Sequence, residues 1–400
     1  MKIGIACGGT GGHIFPGLAV AEVLRRRGHE VVLWLAGKPG EDLALAGWDG
    51  PAVTVYARGV SSRAPRALIA TCFRLARAVL QCRRSMRSFA PDVLLAMGSY
   101  ASIGPVLAAR WLNIPVVLHE ANVIPGRAIH FLSRWAAAVA VGFEETRQHL
   151  AGRRLVVTGM PVRGTGRQTT DDGRRTTEAK EQYPAIINYK SEISNWGALA
   201  PSVFTLLVMG GSRGAHRLNE IASGAIIRLH REGRVLQTIH LAGKADEEAI
   251  RQAYRQAGVP HAVFGFLHEM ARAYRQASLA ICRSGASTCA ELSCYGVPAL
   301  LVPYPFAIHQ HQAANADALA AAGSADICDE QILTVDWLAG YVAGLMRDSA
   351  RLAHMRTVAL RRITNNPAAA LADLVEQEVC RAVSGECARG RTDDGPGAKT

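Results

Sequence analysis

The sequence predicts an α/β protein made of two similarly built domains with parallel sheets, joined by a linker. Three observations carry this. A strand–glycine-turn–helix unit opens each half: Lys2 to Cys7 runs into Gly8-Gly9-Thr10-Gly11-Gly12, and Phe204 to Met209 into Gly210-Gly211-Ser212-Arg213-Gly214. Short apolar runs alternate with helical stretches, as the buried strands of a parallel sheet do. Between the halves, residues 164–182 are polar apart from Ala179 and break the pattern. The chain has 400 residues, which suits two domains at roughly 100–200 residues each.

The elements follow in order. Pro16 sits near a helix start, and Leu18 to Arg27 is amphipathic up to Gly28. Glu30 to Leu35, Val93 to Met97 and Pro115 to Leu118 read as buried strands. From Arg66 onward the spacing predicts a helix with Ile69, Cys72, Phe73, Ala76, Val79 and Leu80 on one face and Arg74, Arg77 and Arg84 opposite. In the second half, Leu279 to Cys282 is a strand, Ser284 to Thr288 a turn, and Cys289 to Tyr295 a helix stopped by Gly296. The expected boundaries are 1–163, a linker or insertion at 164–202, 203–365, and a C-terminal helix end with a flexible tail at 366–400. A ligand cleft is expected at the carboxyl ends of the strands.

Composition narrows the function classes. Hydrophobic residues make up 49% and charged residues 20%, which excludes a disordered chain. The formal net charge of +12 points to an anionic partner: nucleic acid, acidic lipid headgroups or phosphorylated small molecules. No run of about 18 apolar residues free of charge occurs, and the opening MKIGIACGGTGGH does not read as a secretory signal. The nine scattered cysteines contain no CxxC pair, so a reducing compartment with buried thiols is expected rather than a zinc site or disulfide framework. Between Asp49 and Asp92 there is no acidic residue, while Arg58, Arg63, Arg66, Arg74, Arg77, Arg83, Arg84 and Arg87 all fall there. That stretch reads as a packed helix with a solvated basic face or as a surface docking on anionic lipid. Nucleic acid ranks below both, because aromatics for base stacking are few.

Glycine turns after strands bring backbone N–H groups and helix N-termini to a ligand, a geometry that favours phosphate. A dinucleotide dehydrogenase is disfavoured, because Ile14 stands where the third glycine of GxGxxG belongs and Trp34-Leu35-Ala36 offers no acid for a ribose diol. No glycine turn runs into Lys-Ser/Thr, so there is no P-loop. A diphosphate fits the helix N-terminus after Ser284-Gly285. Glu291, one turn in, is placed either to bind a ribose diol or to close a capping box with Thr288, and spacing does not choose. No Asp-x-Asp magnesium anchor and no HExxH zinc motif occur. No cofactor is therefore required by the sequence, which leaves room only for a loosely bound divalent cation.

The motifs resemble those of the MurG-type peptidoglycan N-acetylglucosaminyltransferases, which convert lipid I to lipid II. Gly8-Gly9-Thr10-Gly11-Gly12-His13-x-x-Pro16 is similar to that family's opening. His119-Glu120-Ala121-Asn122, Gly159-Met160-Pro161-Val162-Arg163 and Gly210-Gly211-Ser212-Arg213-Gly214-Ala215 follow in the same order. Arg283-Ser284-Gly285-Ala286 through Glu291, Gly296-x-Pro298, Pro303-Tyr304-Pro305 and Gln312-x-x-Asn315 complete the set, over roughly residues 1–365. The chain departs from the pattern at Ser99, where the family has glycine, and at Ala121, where it has glutamine.

The resemblance implies a GT-B glycosyltransferase: two Rossmann-like domains with parallel sheets facing a central cleft. It implies inverting transfer of N-acetylglucosamine from UDP-N-acetylglucosamine to the muramyl 4-hydroxyl of lipid I, for cell-wall peptidoglycan and hence cell shape and division. Thr10, Gly11, Gly12, Asn122, Arg163, Ser212, Leu267, Ala286, Ser287, Thr288, Glu291 and Gln312 would hold the donor. Leu267 would meet the uracil through its backbone, and the resemblance tips Glu291 towards the ribose. Gly9, Gly98, Ser99 and Tyr100 would meet the acceptor, with Arg66, Ile69, Phe73, Arg74, Arg77 and Arg84 facing the anionic inner membrane at its cytoplasmic side. His13 is the expected base and Glu120 its rival; a helix-capping His13 and a buried, paired Glu120 are the plain structural alternatives. Another GT-B enzyme, such as a glycolipid glycosyltransferase or a UDP-N-acetylglucosamine 2-epimerase, is the nearer alternative function. A basic nucleic-acid-binding or scaffold protein is the distant one.

Overall fold

The structure, a computed structural model, describes the chain except residues 10, 39–40, 42–44, 46–47, 56–64, 163–195, 197–198, 211–214, 268, 308–309, 363–365 and 391–400. It divides into two compact units. One comprises residues 1–121, 125–179 and 365–400, the other 122–124 and 180–364.

Unit 1 begins β1 (Lys2–Ala6), α1 (Gly11–Arg26), β2 (Glu30–Leu35), β3 (Ala52–Thr54), α2 (Pro65–Phe89), β4 (Val93–Ala96) and α3 (Ile103–Trp111). It continues through β5 (Val116–Glu120), α4 (Arg127–Leu132), β6 (Ala138–Val141) and β7 (Leu155–Val157). All strand pairs are parallel, in the order β3-β2-β1-β4-β5-β6-β7. β1 and β4 are neighbours on either side of the point where the strand order reverses, and chains leaving their carboxyl ends diverge and open a crevice. Gly4 makes β1 fit beside β2, since a Cβ there would lie 2.7 Å from the Trp34 ring.

Unit 2 repeats the plan with β8 (Phe204–Met209), α5 (His216–Arg231), β9 (Leu236–Leu241), α6 (Glu247–Ala257), β10 (His261–Phe264), α7 (Met270–Gln276) and β11 (Leu279–Cys282). α8 (Ala286–Tyr295), β12 (Ala299–Leu301), α9 (His311–Ala321), β13 (Ala325–Ile327), α10 (Val335–Arg347) and α11 (Ser349–Arg361) follow. Its six parallel strands run β10-β9-β8-β11-β12-β13, with the reversal between β8 and β11. The expected pair of parallel-sheet domains is therefore present, and each sheet carries the dinucleotide-fold strand order.

Three local expectations change. α1 begins at Gly11 and contains Pro16, so the glycine run forms the helix's first turn rather than only a loop before it. The chain after residue 366 is mostly ordered helix, α12 (Pro367–Gly390), and it belongs to unit 1. Its stripe of Ala368, Leu371, Ala372, Leu374, Val375 and Val379 joins the core around α1 and β1. Arg27 pairs with Asp373 and Glu376, and Arg154 with Glu378. Burying each Leu or Val of that stripe contributes about 1.5–3 kcal/mol, which draws the chain end back across the sequence. The linker's far end is also packed: Trp196 is buried against Phe264 at 5.2 Å with the Arg272 guanidinium over its ring, and Ala200 bonds Gln237 through N–H and C=O.

The fourth change concerns α2. Its fully buried residues are Ala78, Cys82 and Met86, at i, i+4 and i+8, with Val79 and Phe89 packed beside them. Of the apolar stripe that either packs or faces lipid, Ile69 is 71% and Phe73 70% exposed and Cys72, Ala76 and Leu80 are exposed too, while Val79 packs half-buried against the core. The two faces lie side by side on one helix, and hydrophobicity alone does not tell which one the sheet covers.

Candidate active site

In unit 1 the site grows from β1, β4 and β5, whose carboxyl ends carry Gly8–Gly12, Gly98–Tyr100 and Glu120. His13 lies in the first turn of α1, with Nδ1 2.8 Å from the Met97 carbonyl. A carbonyl only accepts, so Nδ1 carries the proton and Nε2 is left as an acceptor. Burial lowers the His13 pKa below its ordinary value, partly offset by the Met97 carbonyl and the Glu120 charge. The ring is thus neutral near pH 7, the form that takes up a proton. Gly9 (φ +134°) and Gly98 (φ +87°) flank it, and a Cβ on either would lie 3.7 or 3.6 Å from ring atoms.

Ser99 stands at φ +67°, ψ 169°, backbone that is nearly reserved for glycine. Its hydroxyl donates to the Gly8 carbonyl at 2.9 Å and accepts from Ala101 N–H at 3.1 Å. These two bonds offset strain of about 1–3 kcal/mol. Ser99→Ala is accordingly expected to lose about 1–2 kcal/mol by urea unfolding, while Ser99→Gly stays level with or above the parent. An alanine variant as stable as the parent would contradict this account.

His119 and Glu120 have different surroundings. His119 is fully buried, donates Nε2–H to the Gly159 carbonyl at 3.3 Å, and is pushed by burial to a pKa of about 4. It ties the His-Glu-Ala-Asn segment to the Gly-Met-Pro-Val turn. Glu120 is 5% exposed and accepts Gly126 N–H at 2.8 Å. That bond makes it a buried, hydrogen-bonded carboxylate whose charge acts on the His13 ring.

Sequence reading missed Glu41. Its carboxylate is 4% exposed and accepts backbone N–H from Gly9 (2.8 Å), Ala36 (3.3 Å) and Gly37 (2.8 Å). A lone glutamate after Lys38-Pro39-Gly40 carries no periodic signal.

In unit 2, α8 starts from Gly285, whose side-chain-free N-cap leaves the first-turn N–H groups at Ala286, Ser287 and Thr288 uncapped. Thr288 is the helix's third residue, not its cap, so the capping box with Glu291 does not form. Glu291 instead accepts the Tyr274 hydroxyl at 2.6 Å. Burial pushes its pKa up to about 7, with the tyrosine bond opposing. The adjoining loops are tightly tied. Asn315, fully buried, donates to Asn122 Oδ1 (3.1 Å) and the Ser284 carbonyl (3.2 Å) and accepts Val123 N–H (3.0 Å). Gln312 Oε1 accepts Tyr304 N–H at 2.9 Å, and its carbonyl accepts Ser284 Oγ–H at 2.7 Å. Arg283, paired with Glu330 at 2.6 Å, also reaches the carbonyls of Val302 and Pro303 and lies over the Tyr304 ring.

Gly9, Gly98 and Ser99 thus gather around His13 in unit 1, with Glu120 beside it and Gly11 and Gly12 in the same helical turn. Tyr100 is half exposed next to them. In unit 2, Asn122, Ala286, Ser287, Thr288 and Gln312 adjoin through Ser284 and Asn315, with Glu291 one turn along α8. Leu267 stands apart on the loop after edge strand β10, with its side chain buried. Thr10, Arg163 and Ser212 lie outside the described residues, as does the Arg66 side chain. Among the described residues no cluster of three or more His, Cys, Asp or Glu is arranged to hold a metal ion.

Comparison with known proteins agrees with this layout. Residues 3–141 match the glycosyltransferase family 28 N-terminal domain and residues 205–375 the glycosyltransferase family 28 C-terminal domain. The chain is similar to the UDP-N-acetylglucosamine–N-acetylmuramyl-(pentapeptide) pyrophosphoryl-undecaprenol N-acetylglucosamine transferases of Geobacter metallireducens and Bordetella parapertussis. The first is 36% identical, over 88% of this chain and 92% of the relative; the second is 39% identical, over 94% and 98%. Among solved structures, MurG of Acinetobacter baumannii superposes with a TM-score of 0.72 at 29% identity, covering 94% of this chain and 99% of that one. A UDP complex of S. aureus MnaA shares the fold at 14% identity and a TM-score of 0.60, over 92% and 93%.

Proposed function

The chain belongs to glycosyltransferase family 28, and from that premise we propose that it transfers N-acetylglucosamine from UDP-N-acetylglucosamine to the muramyl 4-hydroxyl of lipid I, giving lipid II for peptidoglycan. The observation that carries the reading is a near-full-length likeness to transferases of that name, with the shared motifs at the carboxyl ends of both sheets. An epimerase shares only the fold at 14% identity.

The chemistry is inverting. His13 Nε2 takes the acceptor hydroxyl proton as that oxygen attacks the sugar's anomeric carbon from the face opposite UDP. The C1–O bond to the β-phosphate breaks and its electron pair leaves on the diphosphate. The resulting imidazolium is supported by the Met97 carbonyl and by Glu120. The first-turn N–H groups of α8 stabilise the departing diphosphate. Glu291 accepts the ribose hydroxyls, Leu267 presents its backbone to uracil, and Gln312 meets the sugar. Ser212, Arg163 and Thr10 complete the donor contacts in this reading, and Gly9, Gly98, Ser99 and Tyr100 face the acceptor. No resident cofactor takes part, and any divalent cation arrives loosely bound to the donor diphosphate.

Transfer of labelled N-acetylglucosamine to a lipid I analogue tests the reading. A folded protein that UDP stabilises against heat, yet that gives no lipid-linked product, would sink it. Stabilisation by oligonucleotide or NAD instead of UDP would favour the alternatives.

The exposed Ile69, Phe73, Arg74, Arg77 and Arg84 of α2 support a peripheral place on the cytoplasmic surface of the bacterial membrane. Ile69 and Phe73 insert while Arg74, Arg77 and Arg84 meet anionic headgroups, each cation adding about 1 kcal/mol. No described helix is long and apolar enough to cross a membrane. Ile69→Glu with Phe73→Glu is expected to cut partitioning onto anionic vesicles by at least about tenfold. Unchanged partitioning, or equal binding to neutral vesicles, would argue against this surface.

A further inference from the structure

We infer that Glu41 is a positioning residue for the transfer reaction, acting through Gly9 to hold the His13 imidazole in place. The inference rests on the transferase reading above. Glycine turns have little conformational preference of their own, and Gly9 is held at φ +134°, where no other residue sits easily. Something outside the turn must select that conformation. Two side chains do so from opposite ends. Ser99 Oγ–H holds the Gly8 carbonyl, and the Glu41 carboxylate holds the Gly9 N–H.

The arrangement around Glu41 is a built one. Oε1 takes Gly9 and Ala36, and Oε2 takes Gly37, so one buried carboxylate joins the turn after β1 to the chain leaving β2. Its own backbone is fixed by N–H to the Lys38 carbonyl and by accepting Leu45 N–H. No described basic side chain pairs with it, so its charge is met by backbone N–H alone. The consequence reaches the ring, because a Cβ at Gly9 would lie 3.7 Å from His13 Cδ2. A shift of the turn therefore moves the surface against which the imidazole packs. The Gly9 N–H is also spent internally, so Gly9 faces the acceptor with its other atoms.

The test compares Glu41→Ala, Glu41→Gln and Glu41→Asp in the full chain. In Glu41→Ala, kcat for transfer to a lipid I analogue is expected to fall about 10- to 100-fold, as a roughly 1 Å misplacement of a reacting group does. KM for UDP-N-acetylglucosamine should rise much less than kcat falls, because most of the donor contacts in this reading come from unit 2. Glutamine keeps an acceptor for Gly9 and Ala36 and should recover kcat to within about fivefold of the parent, while the shorter aspartate should fall between. Independently of turnover, the His13 ring NMR signals should shift in Glu41→Ala while those of His240, buried in unit 2, stay put. An unmoved His13 signal overturns the inference. So does a Glu41→Ala kcat within about twofold of the parent, a donor KM that rises as far as kcat falls, or a glutamine variant as impaired as alanine. If Glu41→Ala does not fold, the same comparisons between Gln, Asp and parent decide it. A parent enzyme without transfer activity counts against the transferase reading, and the His13 signals still judge Glu41.

Discussion

His13→Ala is expected to lower kcat for N-acetylglucosamine transfer by about 10²- to 10⁴-fold, the range general-base residues supply. KM for the donor should change by less than about threefold, because the lost group acts on the acceptor hydroxyl in the transition state. The geometry behind this is specific. The Met97 carbonyl fixes the proton on Nδ1, and Gly9 and Gly98 keep the ring's flanks clear, so Nε2 is a defined acceptor. His13→Asn is the sharper variant, since its amide can still donate towards Met97 but offers no base. It should fold like the parent and turn over like alanine. The pH profile carries a further sign. Burial holds the His13 pKa below its ordinary 6.5, so the base stays unprotonated into mildly acidic solution. The acid limb of kcat/KM should accordingly fall off below pH 6.5, not above it. Near-normal turnover in both variants would move the base assignment to Glu120.

Glu291→Gln should show the opposite split. Losing a carboxylate that accepts from a ribose diol is expected to raise donor KM by roughly 10- to 100-fold with a much smaller change in kcat. The same substitution should stabilise the folded chain. Burial raises the Glu291 pKa from 4.5 to about 7, so folding favours the protonated acid. Its contribution is fully favourable below about pH 4.5, declines as pH rises through about 7, and is flat above. At pH 8 the parent holds an ionised carboxylate that folding disfavours, by on the order of 3 kcal/mol. Glutamine removes that cost, so urea unfolding at pH 8 should find Glu291→Gln more stable and its pH dependence between 5 and 8 flatter. A variant that is less stable at pH 8 would refute the burial argument, and an unchanged donor KM would refute the ribose role. Tyr274→Phe offers a companion measurement. It removes the hydroxyl that opposes the pKa rise, so the Glu291 titration should move further up.

Much of this was legible in the sequence because it is local. Strand, glycine turn and helix succeed one another within about fifteen residues at each domain start, and period and turn chemistry reveal such units directly. His13, Gly98, Ser99 and Glu120 lie in motifs next to strand ends, and parallel sheets bring strand ends to one edge whatever the loops do. Legibility failed where two signals coincided. Thr288 and Glu291 fit a capping box and a ligand site equally well, and only the place of Gly285 as N-cap, with Tyr274 bonded to Glu291 from another helix, excludes the capping box. Two apolar stripes on α2 posed the same difficulty.

The sequence alone thus determined the class of fold, the two sheets and the glycine turns at the carboxyl ends of their strands, since each follows from contacts within a short stretch of chain. Tertiary structure decided which face of α2 is left bare, that α12 returns to unit 1, and that Glu41 serves Gly9. Each of these depends on partners far apart in sequence: 32 residues for Glu41 and Gly9, 347 for His29 and Glu376. Such pairings are selected by buried area and by the need to satisfy buried N–H groups and carboxylates. Those terms take effect only once the chain is packed, so no pattern along the sequence announces them.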